Sequence, residues 1–395
     1  MREDPMPRSP IDYDPLSPEA VADPYPIYAR LRASCPVLWH DRLDSWVLTR
    51  YRDCIAVLRD PARFASDARR AGHEAPPSAE HPSLQGLDPP EHTPIRDLFA
   101  NALREQAISG LGELVAAEAT AAFARLADAP SFDFTADVAR PIALTAMSRL
   151  LGVEPPAIAS IVALSDAVER AMDAALVPEA IGPALAARGQ MNELMKSWVG
   201  DGLRPGLLAQ VLDERHGAGV PEAAVWSTAR VMFLAGFSTT VSAASNMVLA
   251  MFQHPDALDR LRDNRLLETG VDELMRYDGP IQGTSRICLE ATTIDETRIE
   301  RGQVVLLLFG AANRDPEQFA APDELMLDRR PNRHLAFGRG PHACTGTQLA
   351  RIVLQALLGS MLRLRAPLRL AGPVRRQRRA TVRYPDRLPL TLQAA

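Results

Sequence analysis

Cys344 lies in a glycine-rich segment whose residue types could together hold a metal-bearing cofactor. The segment runs from Phe337 to Gly346 and reads Phe-Gly-Arg-Gly-Pro-His-Ala-Cys-Thr-Gly. A cysteine just before a helix faces unpaired backbone N–H groups and the positive end of the helix dipole, which favour the thiolate. Glycines allow sharp backbone bends and the close approach of a large flat ligand. The pattern predicts a coordinating thiolate, with Phe337 as an apolar wall.

Other interpretations of this segment are weaker. A lone cysteine is more often a small buried hydrophobe than a ligand. Residues 338–343 also satisfy a dinucleotide fingerprint, but about twenty residues on, where such a site needs an acid, the chain has Arg363 and Arg365. Those arginines would suit a 2′-phosphate, so NADP binding stays open as the lesser alternative. A Cys-His hydrolase built on Cys344 would leave the glycines and Phe337 without a purpose.

The segment closely resembles the haem-binding loop of the cytochrome P450 family, F-G-x-G-x-H-x-C-x-G, at every specified position. The resemblance, which spans about Pro24 to about Leu392, implies haem b (iron protoporphyrin IX) as cofactor and Cys344 as the axial iron ligand. It further implies haem contacts from Phe337, His342 and Gly346. The expected activity is that of a haem-thiolate monooxygenase, which activates dioxygen.

A second segment resembles the E-x-x-R motif of the same family. Glu273 and Arg276 are three residues apart, so on a helix they face the same side and can pair with each other or with a third partner. Taken alone such a pair says little, because exposed pairs are common and weak. The resemblance implies a structural role, in which the pair holds the core beneath the haem.

A third match lies within a long apolar helix, in the sequence Ala-Gly-Phe-Ser-Thr-Thr from residue 235 to 240. The resemblance implies haem contacts from Ala235 and Gly236 and catalytic roles for Thr239, Ser238 and Thr240. A glycine followed by hydroxyls can open the helical hydrogen-bond ladder and make room for dioxygen and water. The alternative is that the hydroxyls bond back to helix carbonyls.

Position 238 departs from the family pattern, which carries an acid before the threonine. A carboxylate can relay protons inward from solvent, whereas the Ser238 hydroxyl only passes a proton along a chain. We therefore expect either a proton route through a substrate group or through water, Ser238 and Thr239, or an atypical oxidation such as coupling, desaturation or ring formation. A Ser238→Asp variant whose coupling of electron input to product is unchanged would make the departure irrelevant.

The two carboxylates of a buried haem require cationic or N–H donors. His92 and Arg96 resemble the family's motif on an early helix, Arg286 resembles the arginine after the E-x-x-R helix, and His342 precedes the cysteine by two residues. We expect these four side chains to contact the haem. Each taken alone would more often be a surface or capping residue.

The substrate pocket is assigned by resemblance to mainly apolar and small residues. It includes Phe233, Phe237, Ile281, Gln282 and Thr284. Such a lining predicts a hydrophobic substrate, a secondary-metabolite intermediate that is free or bound to a carrier protein. A haem-based ligand sensor, or another haem-thiolate protein that is not a monooxygenase, is the alternative; retention of Thr239 and Thr240 favours the enzyme.

The elements that position these residues are mainly helical. Pro221 and His254-Pro255 bracket a long helix, and Val231 to Phe252 within it carries no charge, which favours a buried central helix over a membrane span. Strand patterns are confined to a hairpin near residues 37–49 and a group near 292–309. We predict a mainly α fold with a small β region: an N-terminal extension at residues 1–21 and one cytochrome P450 domain at 22–395.

Composition excludes several other classes of protein. The 395 residues carry a formal net charge of −5, with 47% hydrophobic and 24% charged residues, which is typical of a globular chain and unsuited to nucleic acid. Four scattered cysteines and a charged start without an apolar run favour the cytoplasm. The chain shows no flavin or iron–sulfur motif, so we expect a ferredoxin or flavodoxin-like donor with its reductase. It would dock by charge at four arginines: Arg96, Arg104, Arg339 and Arg351.

Overall fold

Helices dominate the architecture. The computed structural model describes residues 11–73, 83–105, 110–200, 202–262 and 264–392. The α-helices are α1 (Pro18–Ala22), α2 (Tyr25–Ser34), α3 (Tyr51–Leu58), α4 (His92–Glu105), α5 (Leu111–Leu126), α6 (Arg140–Leu151), α7 (Ile158–Arg170), α8 (Ile181–Gly200), α9 (Leu207–Glu214), α10 (Glu222–Gln253), α11 (Pro255–Leu261), α12 (Leu267–Tyr277), α13 (Phe309–Ala312) and α14 (Thr347–Leu362).

The strands form small sheets beside this helical body. They are β1 (Val37–His40), β2 (Ser45–Leu48), β3 (Phe64–Ala65), β4 (Phe132–Asp133), β5 (Gly283–Cys288), β6 (Thr292–Ile294), β7 (Thr297–Ile299), β8 (Val304–Leu308), β9 (Leu368–Leu370), β10 (Arg375–Arg376), β11 (Pro385–Arg387) and β12 (Pro389–Leu392). The largest sheet has the order β1-β2-β8-β5-β3. Within it, only the β2–β8 pair runs parallel. A dinucleotide site of the doubly wound kind needs a parallel sheet, which this arrangement does not provide.

The predicted hairpin is confirmed, because β1 and β2 pair antiparallel from Val37 with Leu48 to His40 with Ser45. The predicted second strand group is split between two sheets. Strands β6 and β7 form their own hairpin, whereas β8 joins the large sheet between β2 and β5. The sequence did not separate these partners, since an apolar run such as β8 shows that a strand is buried but not which strand lies beside it.

Helix α10 is the central helix of the fold. Pro221 is its N-cap residue with extended backbone, and the backbone N–H of His254 closes it on the Ala250 carbonyl. By length and composition α10 could cross a membrane, and no other helix of the described residues could, yet 61% of its most apolar window is buried inside the protein. A helix that is apolar on all sides belongs in a core. The predicted buried central helix is therefore what the structure contains.

The largest core cluster surrounds α10 and includes apolar residues of α4, α5, α6, α12 and α14. A second cluster lies between the large sheet and α3, and a third involves α2. Tyr13 and Leu16, in the segment predicted as an N-terminal extension, are both buried, and Tyr13 belongs to the third cluster. Between α3 and α4 the chain contains β3 and two short 3₁₀ turns, Ala68–Ala71 and Leu84–Gly86; residues 74–82 lie outside the described part.

Candidate functional site

The glycines of the cysteine segment allow its backbone to turn back on itself. Gly338 and Gly340 have φ of +65° and +76°, a conformation that side chains strongly disfavour. At Gly340 an added Cβ would lie 2.0 Å from the Leu58 carbonyl oxygen at the end of α3. The Cys344 N–H donates to the Phe337 carbonyl at 2.8 Å and closes the turn. The segment is therefore a rigid bend that delivers Cys344 to the start of α14.

Cys344 is accessible, in contrast to Cys54 and Cys288, which are buried. This accessible position agrees with the prediction that Cys344 is not a small apolar residue packed in the core. Surrounding protein raises the pKa of its thiol, while the Gly346 N–H, the Thr347 hydroxyl and the charge of Arg96 each act to lower it. Gly346 is the N-cap of α14, so these donors are those expected at a helix start. The surroundings contain the groups that a coordinating thiolate requires.

Cationic side chains from three elements gather beside this segment; we call His92, Arg96, Arg286 and His342 the cation cluster. The His342 Nε2 atom lies 3.0 Å from Asp88 Oδ1, and the His92 and His342 ring centres are 4.7 Å apart. Arg96 donates to the Ala343 carbonyl at 2.9 Å. The structure thus brings three of the four predicted haem contacts together next to Cys344.

Arg286 reaches the same cluster from β5. It is buried, and the carboxylate whose charge acts on it is Asp88; within the described residues its side chain donates to the Thr284 hydroxyl and the Ser285 carbonyl of its own strand. Burial would raise the pKa of Asp88, but hydrogen bonds from His342 and from the Asp67 and Ser66 amides lower it to about 2. Asp88 is one acidic group facing several cationic ones.

Both ring nitrogens of His92 are buried without a hydrogen-bond partner. Burial and the nearby charges of His342 and Arg96 lower the pKa of His92 to about 4. An unpartnered buried polar group in a native fold calls for an explanation, and a bound ligand is one. A group that brings carboxylates to His92 and Arg286 would supply the missing acceptors, so the residues present fit a haem.

Glu273 and Arg276 form the centre of a fully buried acid network that also includes Arg329. Arg276 donates to both Glu273 oxygens at 2.8 Å, and Arg329 Nε lies 3.0 Å from the same carboxylate. Arg276 also donates to the carbonyls of Asn313, Pro322 and Glu324. The acid network therefore ties α12 to the segment 313–332 that leads to the cysteine loop.

The hydroxyls of α10 adopt the alternative that the sequence left open. Thr239 Oγ1 donates to the Ala235 carbonyl at 2.7 Å, and Ser242 Oγ to the Ser238 carbonyl at 2.8 Å. The expected opening of the ladder is not seen, because α10 runs unbroken from Glu222 to Gln253. An added Cβ on Gly236 would lie 2.5 Å from the Met147 sulfur, so this glycine permits close packing of α6 on α10. Ala235, Thr239 and Thr240 are half-buried.

The predicted pocket lining is only partly placed around the site. The Gln282 side chain donates to the Gly279 carbonyl and accepts from the Tyr28 hydroxyl. Phe233 has no exposed surface and packs against Trp198. The direction in which each of these side chains points depends on how the neighbouring elements pack, and the local sequence does not show that packing.

The remaining pocket residues differ in exposure. Phe237 is buried in the largest core cluster. Ile281 and Thr284 are half-buried, and the Thr284 hydroxyl lies 3.3 Å from Arg286 of the cation cluster. Within the described residues, Thr284 is therefore the one predicted pocket residue with a hydrogen bond to a member of the cation cluster.

The four arginines expected to face an electron donor are not equally available. Arg351 is held by the Asp272 carboxylate at 2.8 and 3.0 Å, and Arg96 is turned inward to Ala343. Arg339 is half-buried and lies 3.3 Å from the His334 carbonyl. Arg104, which contacts Asn101 on its own helix, is exposed.

Sequence reasoning missed three charged residues that the structure makes prominent. Asp88 was visible directly before Pro89 and close to His92, and an acid at such a position was a usable signal. The sequence around Arg329 and Glu169 gave no such signal. Arg329 is one of many arginines, and Glu169 lies near the end of a helix, where charged residues are common; only the tertiary structure buries both.

Three comparisons place this fold and site among known proteins. The model of the family described as "Cytochrome P450" matches residues 188–364. The cytochrome P450 monooxygenase PikC of Streptomyces venezuelae is 32% identical over 362 residues, covering 89% of this chain and 86% of that protein. Epothilone D-bound cytochrome P450epoK superposes with a TM-score of 0.89 at 26% identity, over 98% of this chain and all of that one.

A further similar structure was solved with a protein partner. P450BioI in complex with an acyl carrier protein ligated by hexadec-9Z-enoic acid has a TM-score of 0.82 at 28% identity. The match covers 95% of this chain and 99% of that one. The structural similarity is thus continuous along the chain and is not limited to the cysteine segment.

Proposed function

The chain belongs to the cytochrome P450 family, and from that premise we propose that it oxidises a hydrophobic secondary-metabolite intermediate. It is a cytochrome P450 monooxygenase, with haem b as its cofactor. The observation that carries the proposal is the accessible Cys344 at the start of α14, set beside a cation cluster in which the two buried ring nitrogens of His92 have no partner.

Cys344 would hold the haem iron, and the cation cluster would hold its carboxylates. When bound, haem supplies the iron centre at which dioxygen is activated, and the thiolate makes that centre electron-rich. The protein keeps Cys344 in place through the Phe337 carbonyl and the rigid glycine bend. Phe337 belongs to the same segment, and the Arg351 guanidinium lies over its ring at 5.7 Å.

Thr239 and Ser238 are the groups of α10 that we assign to proton handling, with Thr240 beside them. A hydroxyl can accept one proton while it releases another, so it relays without changing its own charge. In the structure Thr239 donates to Ala235, and that bond must be exchanged before Thr239 can donate elsewhere. Because position 238 carries no acid, the proton would come from a substrate group or along a chain of water that ends at Ser238 and Thr239.

An apolar substrate is supported by the surface between α7 and α8. Met172 and Ile181, in the connection and at the start of α8, are exposed by 50% and 46%, more than large apolar side chains usually are. The similar structure of cytochrome P450epoK was solved with epothilone D bound, which supports a small-molecule substrate of this class. Attachment of the substrate to a carrier protein is supported by the complex of P450BioI.

Electrons would come from a separate small ferredoxin or flavodoxin-like protein with its reductase. Arg104 is the exposed member of the expected docking face, while Arg351 and Arg96 are already engaged within the protein. An acidic donor would therefore meet a weaker positive field than the four arginines suggested. We place its docking on the Cys344 side of the molecule, next to α4 and the cysteine segment.

Replacement of the thiol tests the proposed function. Cys344→Ser should abolish the red-shifted absorbance band that the reduced wild-type protein forms with carbon monoxide, because a serine oxygen is not an equivalent iron ligand. Cys35→Ser, at a half-buried cysteine on a different element, is the matched control and should keep the band. A band that survives in Cys344→Ser would refute the assignment.

A further inference from the structure

We propose that residues 379–383 form a strap that holds the connection between α7 and α8 closed, and that release of this strap at Asp173 admits apolar ligands to the site at Cys344. The connection comprises residues 171–180. This inference rests on the proposed function, because it concerns the way by which a substrate would reach that site.

The strap is fixed at its C-terminal end. The Arg383 N–H donates to the Pro280 carbonyl at 2.8 Å, and Val382 forms an antiparallel bridge with Ile281. The Arg383 guanidinium also donates to the buried Asp278 carboxylate at 3.1 Å. Because backbone and side-chain bonds act together here, the strap belongs with the segment that leads into β5.

The N-terminal end of the strap holds the connection through Asp173. The Asp173 carboxylate is buried and accepts from the Ala380 N–H and the Thr381 N–H, both at 2.9 Å. Hydrogen bonds to an ionised group are among the strong ones. Among the hydrogen bonds of the described residues, these two alone join residues 171–180 to a part of the chain other than α7 and α8. Asp173 is therefore the main polar tie of the connection.

Arg379, the first residue of the strap, reinforces this hold from the end of α7. Its guanidinium forms ion pairs with the Glu169 and Asp166 carboxylates. The side chains of Arg379 and Glu169 are almost wholly buried, whereas that of Asp166 is partly exposed. Three acids on α7 and the turn that follows it, at positions 166, 169 and 173, thus face the same short stretch of the strap.

The strap joins an exposed apolar surface to the region of the cation cluster. Met172, which precedes Asp173, is 50% exposed. At the other end of the strap, Ile281 and Thr284 are half-buried, and the Thr284 hydroxyl accepts from a member of the cation cluster at 3.3 Å. An apolar molecule that passes from the first region to the second therefore meets the strap on its way.

The connection, rather than the strap, is the part that moves. Its own backbone bonds are local, as in the Leu176 and Val177 N–H groups that donate to the Asp173 carbonyl at 2.8 and 2.9 Å. An open groove of about 600 Å³, lined in part by Asp166 and Gln377, leaves free space beside the start of the strap. Segments with local bonds and exposed apolar side chains open at a lower free energy than a packed core does.

A strap that controls entry has a kinetic signature of its own. Opening is needed both for entry and for exit, so a weaker strap raises the association and dissociation rate constants of a bulky ligand by a similar factor. Its dissociation constant then changes little, whereas loss of a residue that binds the ligand would change that constant. Because a hydrogen bond to a charged group is enough to shift an equilibrium about tenfold or more, we expect both rate constants to rise by about that factor without the Asp173 carboxylate.

The test measures how fast the holoenzyme binds and releases two haem ligands, the apolar 4-phenylimidazole and the small carbon monoxide, by rapid mixing and haem absorbance. Asp173→Ala removes the acceptor of both amides. Asp173→Asn keeps an oxygen for one of them, so it gives a graded effect and decides the test if the alanine variant does not fold. Glu179→Ala, at an exposed acid of the same connection, is the matched control.

Hydrogen exchange supplies a second readout that needs no ligand. The Ala380 and Thr381 amides should exchange slowly in the wild type and in Glu179→Ala, because Asp173 accepts from both. They should exchange faster in Asp173→Asn and fastest in Asp173→Ala. The association rate constants of 4-phenylimidazole should follow the same order, while those of carbon monoxide, which is small enough to enter without opening, should stay within about twofold of the wild type.

The outcomes separate this inference from the proposed function. A wild-type protein without the thiolate carbon monoxide band would overturn the function itself. If the band is present and the Asp173 variants bind and release 4-phenylimidazole as slowly as the wild type, the strap is purely structural and only this inference is overturned. An equal acceleration of both ligands would also overturn it, because a general loosening of the fold, rather than a strap, would then be the cause.

Discussion

The acid network and the cation cluster both contain buried ionisable side chains, yet they differ in how completely their polar atoms are paired. In the acid network, Glu273 accepts from Arg276, Arg329, Asn332 and the Met326 amide. In the cation cluster, His92 has two ring nitrogens without a partner. The acid network holds carbonyls of the segment 313–324, and the cation cluster contacts the cysteine segment that follows it in the chain.

The difference separates charges that hold the fold from charges that are arranged for a ligand. A buried ion pair stabilises a fold only when its remaining donors and acceptors are satisfied. Glu273, Arg276 and Arg329 meet that condition, and the two arginines hold loop carbonyls as well; beside them, the Oδ1 atom of Asn332 has no partner. Unpaired nitrogens disfavour the folded state unless another molecule completes them. The degree of pairing, rather than burial or charge, therefore distinguishes the two roles.

Removing Arg276 should have the largest effect of any change considered for this comparison. Arg276→Leu leaves the carbonyls of Asn313, Pro322 and Glu324 without their donor and takes one cation from Glu273. We expect a loss of about 3–5 kcal/mol in the free energy of unfolding, which reduces both the yield of folded chain and its haem content. Urea unfolding and haem content per chain measure the two effects.

An exposed pair provides the control for this loss. Arg260 lies 3.2 Å from Asp328, and both side chains are about half exposed. Arg260→Leu should change the free energy of unfolding by less than about 1 kcal/mol, with wild-type haem content. Wild-type stability and haem content in Arg276→Leu would show that the acid network is dispensable and that pairing does not identify structural charges.

Asp278 extends the comparison to a second saturated acid, with a smaller expected effect. Its carboxylate accepts from Tyr25 at 2.6 Å and from Arg383 at 3.1 Å, and lies 3.4 Å from Arg376. Burial would raise the pKa of Asp278, but Arg383, Arg376 and the Tyr25 hydroxyl lower it overall. The folded state therefore binds a proton less readily than the unfolded state does.

The sign of the pH dependence follows from that difference. The stabilisation is present above the ordinary pKa of an aspartate, about 3.9, and is lost as the pH falls through the lower pKa of the folded state. Asp278→Asn should reduce the free energy of unfolding at neutral pH by about 1–3 kcal/mol and flatten its decline in acid, measured by urea unfolding from about pH 7 to about pH 3. Asp328→Asn is the exposed control; equal profiles for the two variants would contradict this account.

The sequence predicted those features that depend on local pattern. Pro221 and His254-Pro255 marked the ends of α10 correctly, because proline restricts where a helix can begin or continue. The motif glycines also had a local cause, which the positive φ of Gly338 and Gly340 confirms. The four haem-contact candidates named by resemblance lie in one cluster, because family motifs mark positions that converge in the fold.

Features that depend on which elements pack together could not be predicted in this way. Gln282 and Phe233 contact Tyr28 and Trp198, which come from other parts of the chain, so the local sequence did not show these contacts. The strand β8 was recognised without its partners. Glu169 is 210 positions from its partner Arg379 in the chain, and no local pattern connects a helix-end acid with an arginine so distant in sequence.

Replacing His92 should have the smallest effect on stability. It tests most directly whether the cation cluster is arranged for a ligand. His92→Phe removes two nitrogens that have no partner in the fold and keeps an aromatic ring beside His342. Because no protein hydrogen bond is lost, the yield of folded chain and the free energy of unfolding should stay within about 1 kcal/mol of the wild type. The haem carboxylates would lose a donor, so haem should leave the purified protein faster, measured by transfer to an excess of a haem-accepting protein. A variant that unfolds as readily as Arg276→Leu would place His92 among the structural charges, and an unchanged rate of haem loss would remove it from the haem contacts.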